Sequence, residues 1–90
     1  MEPAVAFGVV LRRLRQEAGL TQEQLGLEAD LRRTYVSILE LGQQQPTLTT
    51  ILKLAGPLKR PAHELVKLVE AELHKSTSHH NPQSDDDPRA

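Results

Sequence analysis

The 90-residue chain has no cysteine and no tryptophan, and its only aromatic residues are Phe7 and Tyr35. Without cysteine there is no disulfide, no thiolate-ligated zinc or iron–sulfur cluster and no thiolate nucleophile, and a reducing compartment suits the composition. Two aromatic rings are too few for the stacking platforms that bind single-stranded nucleic acid. No apolar run approaches the roughly 20 residues of a membrane-spanning helix, and Met1-Glu2-Pro3 does not open a secretory signal. Strand signals are missing as well: no alternating run of β-branched or aromatic residues, and no Asn-Gly or Asp-Gly turn. Four histidines (His63, His74, His79 and His80) offer no pair at helical spacing, and there is no glycine-rich phosphate loop or nucleophile elbow. The serines have no histidine placed for a triad. The sequence therefore predicts no enzyme, metal site, cofactor, small-molecule ligand or membrane insertion, and a cytoplasmic, nucleoid-associated location.

Hydrophobic residues make up 38% of the chain, yet the last sixteen positions hold only Ala90. One small domain over residues 1–74 follows, with a disordered polar tail over 75–90 that cannot build a core. A core of this size is marginal, so burial in a dimer would help. The formal net charge of −1 hides an asymmetry: residues 1–60 carry eight basic and six acidic side chains, and the acids prevail after that. An excess this small does not by itself mark a polyanion binder, so the positions of the arginines must carry the argument.

Apolar spacing and punctuation give an all-α reading of five short helices. Pro3 opens a first helix over roughly 4–18, with Phe7, Val10, Leu11, Leu14 and Ala18 on one face and Gly19 as its stop. Thr21 and Gln24 have the spacing of a capping box, starting a second helix over about 22–29 with Leu25 and Ala29 inward. A third helix spans about 33–41, turns Val36 and Leu39 inward and stops at Gly42. Thr47 caps a fourth, whose expected stripe is Leu48, Ile51, Leu52 and Ala55, and which Gly56-Pro57 should end or kink. Pro61 starts a fifth over about 61–74 through Leu65, Leu68, Val69 and Leu73.

The second and third helices, over about 22–41, are short and lie about three residues apart. Such a unit can lay its second helix in a DNA major groove. With Val36 and Leu39 inward, Arg33, Thr34, Ser37, Ile38 and Leu41 share the opposite face. Arg32 and Arg33 stand at the positive end of the helix dipole, where cations are disfavoured. A phosphate or a guanine edge would compensate; two tolerated surface arginines is the plainer alternative.

Residues 7–65 resemble the Cro and phage-repressor type of helix-turn-helix domain, a five-helix, lambda-repressor-like DNA-binding module. The resemblance rests on Leu11-Arg12-Arg13-Leu14-Arg15, Gly19-Leu20-Thr21-Gln22-Glu23-Gln24-Leu25, Ala29 to Ser37, Leu39-Glu40-Leu41-Gly42 and Pro46-Thr47-Leu48. The run Arg33-Thr34-Tyr35-Val36-Ser37 is most similar to the controller proteins of restriction–modification systems. The resemblance implies a phosphate contact for Gln22 and base reading by Arg32, Arg33 and Thr34, with Ser37 and Ile38 a turn later. Arg33 is the first choice for a guanine. Tyr35 reaches a phosphate or sugar, or else is a partly buried flank; Gln43 and Gln44 hold backbone phosphates. Arg15 and Glu40 fall where an ion pair joins the first helix to the third. This chain departs from the pattern in having Gly26 for an alanine, Asp30 for a turn glycine and Arg32 for a serine-like cap.

Leu65, Leu68, Val69 and Leu73 form a seam that either closes the domain's own core or joins two copies through the fourth and fifth helices. The expected function is a transcriptional regulator that binds a palindromic double-stranded DNA operator as a homodimer. The alternative is a protein-binding module of the same fold, an antitoxin or co-regulator, with Ile38 and Leu41 facing a partner rather than thymine methyls.

Overall fold

The computed structural model describes residues 1–77, and these form five helices with no strand. They are α1 (Pro3–Glu17), α2 (Gln22–Ala29), α3 (Arg33–Glu40), α4 (Leu48–Leu58) and α5 (Ala62–Thr77). Local chemistry sets most boundaries. Pro3 occupies the first turn of α1, where its missing N–H costs nothing. Thr21 and Gln24 form the capping box of α2: the Gln24 N–H donates to Thr21 Oγ1 at 3.0 Å, and the Thr21 N–H to Gln24 Oε1 at 2.8 Å. Thr47 caps α4 by accepting from the Thr50 N–H at 3.1 Å. Gly19 and Gly42, just past α1 and α3, have φ of +74° and +73°.

The core joins one face of every helix. Phe7, Val10, Leu11 and Leu14 of α1 meet Leu25 and Ala29 of α2, Val36 and Leu39 of α3, Leu54 and Leu58 of α4, and Leu65 of α5. α1 is the central strut, packed against both α3 and α5. Its approach to α3 is close enough to demand glycine. A Cβ on Gly8 would lie 2.5 Å from the Glu40 carbonyl oxygen and 2.6 Å from that of Leu39. On its other side Arg13 donates to Glu72 at 3.0 Å. Arg60 bridges Glu64 and Glu17, joining the start of α5 to the end of α1.

Three expectations need correction. Pro57 lies inside α4 rather than ending it; the helix runs to Leu58 and stops at Lys59 in a left-handed conformation, φ +59°. A proline this near the C-terminus forfeits one backbone bond, and the turn closes with Lys59 and Arg60 N–H groups on the Gly56 and Ala55 carbonyls. The buried side of α4 is Thr50, Leu54 and Leu58, whereas Leu48 and Leu52 of the expected stripe are 71% and 58% exposed. Finally, α5 begins one residue after Pro61 and continues to Thr77 instead of stopping at 74, so residues 75–77 are helical rather than part of a disordered tail. The remainder of that expected tail lies outside the described residues.

Candidate nucleic-acid interface

Three residues, Asp30 to Arg32, turn the chain from α2 into α3. Asp30 adopts φ +59° and ψ +48°, a left-handed position its short polar side chain tolerates better than most. The Leu31 N–H then donates to the Gly26 carbonyl at 2.8 Å. Gly26 is required by this tightness, since a Cβ there would sit 2.6 Å from the Leu31 carbonyl oxygen. The angle between α2 and α3 is thus fixed by backbone packing, with Leu25, Ala29, Val36 and Leu39 buried beneath it.

A polar network ties the far end of α3 to the frame. Arg15 grips Glu40 with two bonds, Nε to Oε2 at 2.5 Å and Nη2 to Oε1 at 3.1 Å, and its Nη1 donates to the Leu20 carbonyl at 2.8 Å. The side chains are 13% and 4% exposed, so the pair is largely desolvated. Gln22 Nε2 also donates to Glu40 Oε1, at 3.0 Å. Glu40 therefore gathers α1, α2 and α3 at one carboxylate. The Gln22 contact is invisible in the sequence, because only the folded crossing of the helices brings positions 22 and 40 together.

With Val36 and Leu39 buried, the 3.6-residue repeat places Thr34 and Leu41 at the centre of the opposite face of α3, flanked by Ser37 and Ile38. Arg32, Arg33, Thr34 and Leu41 are exposed, and Ser37 and Ile38 are half-buried. Arg32 is the N-cap of α3, and its side chain makes no capping bond. Arg33 lies at the edge of the face, lining an open groove of about 460 Å³ with Arg15, Thr21, Gln22 and Glu23. Tyr35 turns inward, half-buried against the core, with its hydroxyl 3.4 Å from Thr50 Oγ1. Gln43 and Gln44 are exposed in the connection that follows α3. The structure brings Gln22 and Arg33 together at that groove and sets Arg32 beside a separate one with Gly26, Leu27, Asp30 and Leu31; Thr34, Ser37 and Ile38 share the outer face of α3, and Tyr35 is turned away from it.

The expected seam on α5 divides. Leu65 is 1% exposed and belongs to the chain's own core, so it is not available to a second copy. Leu68, Val69 and Leu73 are half-buried. Val66, which widens that seam in the sequence, is 44% exposed; the apolar surface that the sequence reading missed is on α4, at Leu48 and Leu52. The recurrence of leucine at 48 and 52 was the available signal; it marked a second face rather than the core. Among the described residues no cluster of His, Asp or Glu is arranged to hold a metal ion, and no helix is long and apolar enough to cross a membrane.

Two short helices joined by a three-residue turn, the second seated on Val36 and Leu39 with an open outer face, define a helix-turn-helix domain. The chain belongs to that family: the helix-turn-helix family model matches residues 11–65. It is 43% identical over 66 residues to the uncharacterized HTH-type transcriptional regulator y4dJ of Sinorhizobium fredii, covering 73% of this chain and 86% of that one. The control protein C.MunI of a Mycoplasma species is 35% identical, over 76% of this chain and 93% of its own. Among solved structures, the restriction-modification controller protein C.AhdI from Aeromonas hydrophila is 45% identical with a TM-score of 0.67, covering 69% of this chain and 94% of that one. The relatives are transcriptional regulators, not enzymes, and the fold is theirs.

Proposed function

We propose that the protein binds a palindromic double-stranded DNA operator as a homodimer, laying α3 of each protomer in the major groove, and so regulates transcription in the bacterial cytoplasm. The observation that carries this reading is the open face of α3, with Arg33 and Thr34 at its leading end and Gln22, Gln43 and Gln44 around it. Arg33 offers a guanidinium fork matching the O6 and N7 acceptors of guanine. Gln22 keeps a second amide hydrogen beyond the one given to Glu40, and the N-terminus of α2 beside it favours a phosphate. Gln43 and Gln44 hold the backbone on the other side, setting register without reading sequence. Dimerisation would use Leu48 and Leu52 of α4 with Val66, Leu68, Val69 and Leu73 of α5, placing two half-sites about 34–36 Å apart. A controller role, as named for C.MunI and C.AhdI, is the narrower form of this reading.

The test is selection of genomic duplexes by the purified full chain at moderate salt, with Arg33→Ala alongside. The wild type should return one palindromic motif, and Arg33→Ala should lose about 1–3 kcal/mol of discrimination at one base of each half-site. Affinity should also fall steeply with salt as counterions are released. A well-folded wild type that returns no motif would overturn the reading in favour of a protein partner.

A further inference from the structure

The basic side chains of α3 stand at its beginning, and on its outer face Ile38 and Leu41 follow toward its end. Thr34, Ser37, Ile38 and Leu41 follow one another at i, i+3, i+4 and i+7, a single ridge along the outer face. Leu41 is 65% exposed, although the chain on both sides of α3 is polar: Arg32 and Arg33 before it, Gln43, Gln44 and Gln45 after it. No base edge in the major groove offers an apolar group except thymine, through its 5-methyl.

We propose that Ile38 and Leu41 are specificity-determining residues that read thymine 5-methyl groups, giving each half-site a fixed polarity. This deepens the DNA-binding reading above and rests on it. A DNA duplex fits this ridge better than a protein partner does, because the ridge is continuous with the hydroxyls of Thr34 and Ser37 and is bounded at both ends by side chains suited to phosphates and base edges. Position along the helix converts to position along the groove. Ile38 lies five residues beyond Arg33 and Leu41 eight, roughly 7.5 and 12 Å at 1.5 Å per residue. At about 3.4 Å per base pair, the thymines sit about two to four pairs from the guanine that Arg33 reads.

The experiment replaces each thymine of the selected operator, one at a time, by deoxyuridine. That removes the methyl group and leaves every hydrogen-bonding atom in place. Wild-type full chain should bind about fourfold more weakly for each contacted methyl, the value of one buried CH₂-sized group, at one or two positions two to four pairs from the Arg33 guanine. Ile38→Ala or Leu41→Ala should be indifferent to uracil at the corresponding position. Leu41 is exposed enough that its truncation should leave the fold intact, and the uracil series needs no protein variant at all. Uniform wild-type affinity across all the uracil duplexes would overturn the inference while leaving operator binding in place. Equal uracil sensitivity in the wild type and both variants would overturn it too. If the folded wild type selects no duplex, the DNA reading fails first and the ridge belongs to a protein partner.

Discussion

Glu40 accepts hydrogen bonds from Arg15 and Gln22, side chains that reach it from two other helices. Removing it leaves an arginine side chain only 13% exposed, with the Leu20 carbonyl as the remaining partner of its guanidinium. Glu40→Ala should therefore lower the unfolding free energy by about 3–5 kcal/mol in a urea titration, the usual cost of stranding one member of a buried pair. Replacing both partners, Arg15→Met with Glu40→Leu, should recover most of the loss, since no charge is then left behind. If Glu40→Ala unfolded at the wild-type midpoint, the pair would be ornamental and α3 would be held by its apolar residues alone. The residues at positions 15 and 40 could be picked out of the sequence because the family resemblance places a pair there. Gln22 could be picked out only as a phosphate contact, because its second partner depends on how three helices cross.

Helix ends were the most readable elements. Thr21 with Gln24, Thr47, Gly19 and Gly42 each state a local chemistry that needs no tertiary context, and each sits at a helix boundary in the structure. The face of α4 was not readable in the same way. Leu48, Ile51, Leu52, Leu54 and Leu58 satisfy helical spacing in more than one direction, and only the surfaces of α2 and α5 decide that Leu54 and Leu58 go inward. Gly26 stood out in the sequence only as a departure from the family's alanine, and the 2.6 Å from its would-be Cβ to the Leu31 carbonyl oxygen is what explains it. The turn offers a further test at this level. Asp30 pays for its left-handed backbone, and its ion pair with Lys53 is a poor return: 3.8 Å long, with the Asp30 side chain 97% exposed. Asp30→Gly should relieve about 0.5–1 kcal/mol and raise the melting temperature by roughly 2–8 °C. An unchanged or lower melting temperature would mean that the aspartate carries a local hydrogen-bonding role worth as much as the strain.

At the scale of the molecule, the exposed residues of α4 and α5 give the proposed dimer a cleaner test than the seam first read from the sequence. Leu52 is 58% exposed, so a charge there should not disturb the core. Leu52→Glu is expected to sediment as a monomer at concentrations where the wild type is a dimer, with unchanged helical circular dichroism. A variant that remained dimeric would move the interface away from α4.

The middle position of α1 bears on geometry at a distance. It meets the α3 backbone at Gly8 and grips α5 through Arg13 and Glu72, so α3 and α5 are held on two sides of one helix. In the proposed dimer the span between the two copies of α3 would then be set by how α1 holds α3 and α5. Such a dimer would measure phase as well as letters. One extra base pair between half-sites turns the second by about 34°, and the DNA, not the protein, would have to twist back to be read.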